Sequence, residues 1–93
     1  MEYILTFKNT NHAIRAEQRL IEGGVRVGVL PLPPQIRAGC GICLRVDPGE
    51  LEAALTALAD IPDGEMGLYT RRGDNNGRFV YIQADRSVCH DHD

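Results

Sequence analysis

Three shortages narrow the reading before any motif is considered. Cysteine occurs three times in 93 residues, an odd number and too few for a disulfide scaffold. A reducing cytoplasm is therefore the expected setting, where a cysteine is free, catalytic or metal-bound. Ten Lys and Arg residues stand against 13 Asp and Glu, for a net charge of -3. They are scattered, so the chain lacks the basic stripe that nucleic acid demands, and an anionic membrane surface is disfavoured for the same reason. Apolar runs are short. None approaches the roughly 18 residues of a membrane span, and no basic segment precedes the apolar start at Met1 to Asn9, so neither a span nor a signal peptide is expected. No nucleotide, flavin or other organic cofactor motif is present, and no repeat of fixed period.

What remains is an ordinary globular composition, 43% hydrophobic and 25% charged. The length suits one domain, assigned to residues 1–83 with a polar tail at 84–93. A chain of this size buries only about 60–65% of its unfolded surface, enough to pack one sheet on two helices but not to enclose a deep pocket.

Tyr3 to Phe7 is an aromatic and β-branched run, and Asn9 or Thr10 after it is a natural helix cap. Ala13, Ala16, Leu20 and Ile21 share one face of the helix that follows, with Glu17 at its margin and Gly23-Gly24 as its stop. Val25, Val27 and Val29 alternate with Arg26, Gly28 and Leu30 as a half-buried strand, ended by Pro31, Pro33 and Pro34. Ile42, Leu44 and Val46 mark a third strand. Asp47-Pro48-Gly49-Glu50 is a helix start, with Leu51, Ala54, Leu55 and Leu58 behind it on one face. Two more strands, Gly67 to Arg71 and Arg78 to Gln83, flank the turn-rich Gly73 to Gly77. The order β-α-β-β-α-β with one additional C-terminal strand predicts an α+β, ferredoxin-like two-layer sandwich.

Within this plan the segment Arg37-Ala-Gly39-Cys40-Gly41-Ile-Cys43 joins strands two and three, at the end of the sheet where the first helix begins. Cys40 has the parity of Ile42, Leu44 and Val46, so its sulfur is expected to face the helices, near Thr10, Asn11 and His12. A helix N-terminus and nearby cations, here Arg37 and Lys8, favour a thiolate. Gly39 and Gly41 permit positive φ and leave the sulfur unshaded; the plainer alternative is a tight turn with an incidental thiol. His12 reads as a first-turn surface histidine, standing also where a proton donor beside Cys40 would. The Cys40 and Cys43 pair spells CxxC, yet in a strand residues i and i+3 face opposite ways, too far apart for a disulfide unless a turn at Cys40-Gly41 brings them closer. Zinc would need further ligands from Cys89, His90 and His92. That tail reads as a solvated end, and no metal is expected.

Tyr3-Ile-Leu-Thr-Phe7, His12-Ala-Ile-Arg-Ala-Glu17, Val29-Leu-Pro-Leu-Pro-Pro34 and Gly39-Cys40-Gly41 followed by Leu44-Arg45-Val46 resemble the selenium/sulfur carrier-like family of small prokaryotic proteins, over roughly residues 3 to 60. The most specific element is the proline-rich stretch followed by Gly-Cys-Gly. The resemblance implies a cysteine that holds sulfur or selenium as a persulfide or perselenide, and the matching position is Cys40. An arginine that typically follows the second proline is replaced here by Pro34-Gln35, with Arg37 two places on. The expected function is a carrier, favoured over a turnover enzyme, that takes the atom from a donor protein and hands it to an acceptor enzyme. The alternatives are a noncatalytic binding or assembly module using an open sheet face, with self-association as one outcome, and a redox or metal sensor built on Cys40, Cys43 and Cys89.

Overall fold

The computed structural model of the protein describes residues 1–37 and 39–85. The strands are β1 (Glu2–Phe7), β2 (Val27–Pro31), β3 (Ile42–Val46), β4 (Met66–Gly73) and β5 (Phe79–Ala84), and the helices are α1 (Thr10–Glu22) and α2 (Leu51–Ala57). They form an α+β domain whose five-stranded sheet runs β2-β3-β1-β4-β5, with every neighbouring pair antiparallel. Among the described residues no helix is long and apolar enough to cross a membrane.

Alternation along β1 decides the layering. Tyr3, Leu5 and Phe7 lie on the helix side, in one core with Leu44 and Val46 of β3, Leu68 of β4, Ala13, Ala16 and Leu20 of α1, and Leu51, Ala54 and Leu58 of α2. Small alanines at two α1 contact positions let the helix approach the sheet closely, and Leu20 fills the space beyond them. Ile21, expected on that face, is 59% exposed. At 100° per residue it has rotated past the sheet edge, and Leu20 takes its place in the core.

The second helix begins differently from the expectation. Pro48–Glu50 forms a 3₁₀ turn, and Asp47, at its N-cap position, makes no side-chain capping bond. Its carboxylate instead accepts from Arg45 Nη1 at 3.1 Å, and Glu50 Oε2 accepts from the backbone N–H of Arg26 at 3.1 Å. Two side chains that would serve the helix start are drawn to a neighbouring strand and loop, and the α-helical part shortens to Leu51–Ala57. An Arg19–Asp60 ion pair ties α1 to the segment following α2.

The opposite face of the sheet, expected to be uncovered, is partly roofed. Ile36, from the connection between β2 and β3, is buried against Ile4 and Cys43, with Leu30, Leu32, Tyr69 and Tyr81 around them. Apolar side chains on a sheet surface are stabilised by any cover that removes water, and a loop carrying Leu32 and Ile36 suffices for a patch this small. Beside it, Glu2 accepts from Arg45 at 2.9 Å and from Arg71 Nε at 2.8 Å. Hydrogen bonding from Arg71, with the charge of both guanidiniums, holds the Glu2 carboxyl below the ordinary carboxylate range. Burial opposes the Arg71 charge, but Glu2 and Tyr81 outweigh it and strengthen its hold on its proton.

Candidate functional site

The β2–β3 hairpin brings Cys40 to its place. The ladder runs to Pro31 opposite Ile42 and is extended by the Leu32 N–H donating to the Gly41 carbonyl at 2.9 Å. Cys40 sits immediately beyond this neck. Thr6 pairs with Cys43, so Cys40 lies past the end of the sheet at which β1 gives way to α1. Close packing there is direct: a Cβ on Gly39 would stand 3.3 Å from the Phe7 carbonyl oxygen. Gly39 and Gly41 have φ of 134° and 96°, values that residues with a Cβ rarely adopt. The expected positive φ at both glycines is therefore observed.

Parity also holds. Cys40 is half-buried against the helix-side core together with Ile42, Leu44 and Val46, and its Sγ lies 3.9 Å from the Ile42 carbonyl. Cys43 belongs to the opposite face, fully buried beside Ile4 and Ile36, where its thiol approaches the Pro31 carbonyl at 3.7 Å. Burial pushes the Cys43 thiol pKa up, against its reactivity. The sheet thus separates the two thiols of the CxxC, one partly open and one sealed.

At the start of α1 the cap is Asn9, whose Oδ1 accepts from the His12 N–H at 2.9 Å. The His12 amide is thereby engaged, and the first-turn donors outside the intrahelical ladder are those of Thr10 and Asn11. The His12 imidazole turns toward Glu65, with Nδ1 at 3.5 Å from Oε2 and 3.4 Å from Asn9 Nδ2, an arrangement that serves the cap and the loop before β4. Lys8 and Arg37 are exposed, and neither makes an ion pair among the described residues. Cys89, His90 and His92 lie outside the described residues, as does the proposed tail beyond Asp85.

Sequence reading passed over a groove that borders Gly39. It is lined by Thr6, Lys8, Gly39, Gly67, Tyr69 and Gln83, among others, with a volume of about 210 Å³. Its floor requires glycine, since a Cβ at Gly67 would come 2.5 Å from Thr6 Oγ1. The signal available in the sequence was Gly67 interrupting the apolar start of a strand, which marks a close approach. Ile36 was also missed as a core residue. A lone isoleucine among prolines and polar residues has no periodicity to betray it.

These features define a small α+β domain with, among the described residues, one half-open cysteine in a glycine-flanked turn at the end of its sheet. The family described as Putative Se/S carrier protein-like matches residues 2–69, and the chain belongs to that family. No curated protein and no solved structure matches it significantly.

Proposed function

We propose that the protein is a sulfur or selenium carrier whose working atom is Cys40 Sγ. The observation that carries this reading is the difference in access between the cysteines of the family-matched region: Cys40 is half-buried in a turn and Cys43 fully buried. In loading, the Cys40 thiolate attacks the terminal sulfur of a donor persulfide. A sulfur–sulfur bond forms at Cys40, the donor's own sulfur–sulfur bond breaks, and the donor leaves as a thiolate. In delivery an acceptor nucleophile attacks the same terminal atom, and Cys40 is released as thiolate. No net oxidation occurs in either step, and selenium follows the same course as a perselenide. Donor and acceptor are partner proteins, and the turnover chemistry is theirs.

Gly39 and Gly41 keep the approach to sulfur clear. The Thr10 and Asn11 amides, the Thr10 hydroxyl, and the Lys8 and Arg37 side chains are the groups of this end of the sheet suited to hold the loaded anion. His12 contributes by fixing the helix start through Asn9. The fold on this reading is a ferredoxin-like sandwich: β2-β3-β1-β4 has the neighbour order of that plan, and β5 is an addition to it. A reducing cytoplasm suits a free thiol of this kind.

The test is mass spectrometry of the full chain after incubation with a low-molecular-weight persulfide, and separately with its selenium analogue. The expected result is a mass gain of one chalcogen atom on the peptide containing Cys40, lost on adding excess thiol and absent in Cys40→Ser. A gain confined to Cys89, or no gain, overturns the carrier reading and leaves an assembly module with a structural Cys40.

A further inference from the structure

The two edges of the sheet are built differently. The β2 edge carries Gly28 and ends in Pro31, with Pro33 and Pro34 beyond, the kind of protection by which edge strands avoid pairing with other chains. β5 has none of it. Phe79-Val80-Tyr81-Ile82-Gln83-Ala84 contains no charge and no proline, and its pairing with β4 runs unbroken from Leu68 opposite Ala84 to Gly73 opposite Phe79, with no bulge. Among the described residues nothing lies on its outer side. Phe79, Val80 and Ile82 are 46, 45 and 59% exposed: Val80 and Ile82 are on the helix side, where the helices cover β1 and β3 and stop short of the β4–β5 hairpin, and Phe79 is on the other face, under the Arg71 guanidinium.

The backbone polarity of this edge follows from one bond. The Asp74 N–H donates to the Arg78 carbonyl at 2.7 Å, so alternation directs the N–H and C=O groups of Val80, Ile82 and Ala84 toward β4. Those of Phe79, Tyr81 and Gln83 point outward. An antiparallel partner strand that satisfies them in full pairs residue 79 with 83, 81 with 81 and 83 with 79. That register is two-fold symmetric about Tyr81, and it forms about six interchain backbone hydrogen bonds, two for each pair. It also sets Val80 of each copy opposite Ile82 of the other at a non-hydrogen-bonded site, where side chains approach most closely. The exposed Val80 and Ile82 and the outward backbone groups find complements in the same strand reversed, with no second sequence required.

We infer that β5 is a self-association edge: two copies of the chain join β5 to β5 across a two-fold axis at Tyr81, making one continuous ten-stranded sheet with Cys40 of each copy left accessible, four strands from the junction. This goes beyond the carrier reading and does not depend on it.

Sedimentation of the full chain across a concentration series, under reducing conditions, tests the inference. The wild type is expected to be a dimer. Two variants leave the β4 ladder intact: Ile82→Lys, at a position largely exposed in the single chain, and Gln83→Pro, which deletes an outward-facing N–H. Each is expected to keep the wild-type circular dichroism and to weaken the dimer about tenfold or more. Register is read independently by oxidising a mixture of Val80→Cys and Ile82→Cys chains, both in a Cys89→Ser background; covalent heterodimers are expected in excess over either homodimer. A wild type that stays monomeric at high concentration, including one that captures only a foreign extended peptide, overturns the inference. A dimer that survives both folded variants, or a mixture that gives no excess of heterodimer, places the junction elsewhere and overturns it equally.

Discussion

Cys40 and Cys43 are three residues apart, and the sheet gives them opposite surroundings. Cys40 stands in a turn with a glycine on each side and touches the rim of the large helix-side core. Cys43 stands inside β3, under Ile36, in a cluster of three fully or nearly fully buried side chains. The residue type is the same, and the difference lies wholly in parity and cover. One side of the sheet is covered by two helices, which leave the end of the sheet open; the other is covered by a loop that closes directly over the thiol. A CxxC spacing in a strand is thus a pair of separate sites, whereas at a helix start it would be one redox centre.

The largest effect expected from this contrast is kinetic. Under limiting alkylating reagent at neutral pH, Cys40 should label faster than Cys43 by about a hundredfold or more, because Cys43 reacts only when its cover opens. Quantifying the two modified peptides checks it, and comparable rates would break the comparison. Cover strength is the next quantity. Phe7→Ala, in the helix-side core, should cost about 3–5 kcal/mol and Ile36→Ala, in the loop cover, about 2 kcal/mol, measured by urea unfolding. Ile36→Ala should in addition raise the Cys43 labelling rate while leaving that of Cys40 unchanged.

Gly41→Val sharpens the comparison from the other side. Nothing would lie within 4 Å of an added Cβ at Gly41, but its φ of 96° resists a β-branched residue. The expected cost is about 1–2 kcal/mol, together with slower labelling and persulfide loading at Cys40. Normal loading with an intact fold would remove Gly41 from the site. The smallest effect concerns the charged border of the loop-covered face. Glu2 titrates below its unfolded value, so its contribution is complete above about pH 4.3 and is lost as the pH falls through its lower folded value. With the carboxylate 28% exposed, solvent screening keeps this within about 1 kcal/mol. The urea midpoint of Glu2→Gln should accordingly fall less than that of the wild type on acidification below pH 4.

Local chemistry was enough to read the element order and the separation of the two thiols, since each depends on a period of two or 3.6 residues or on a cap, all contained within a few neighbouring positions. The positive φ of Gly39 and Gly41 was legible for the same reason. Other features depended on residues distant in the chain. Asp47 turned from its helix to Arg45, Ile36 folded over Cys43, and the His12 amide went to Asn9 while its ring went to Glu65. No periodicity signals such choices, because a loop side chain or a carboxylate with several partners in reach takes the one that packing brings closest. The free edge at β5 belongs to this second group: Arg78 to Gln83 reads as a strand after a turn-rich segment, but only the completed sheet order leaves that strand outermost, where its outward groups meet no neighbour among the described residues.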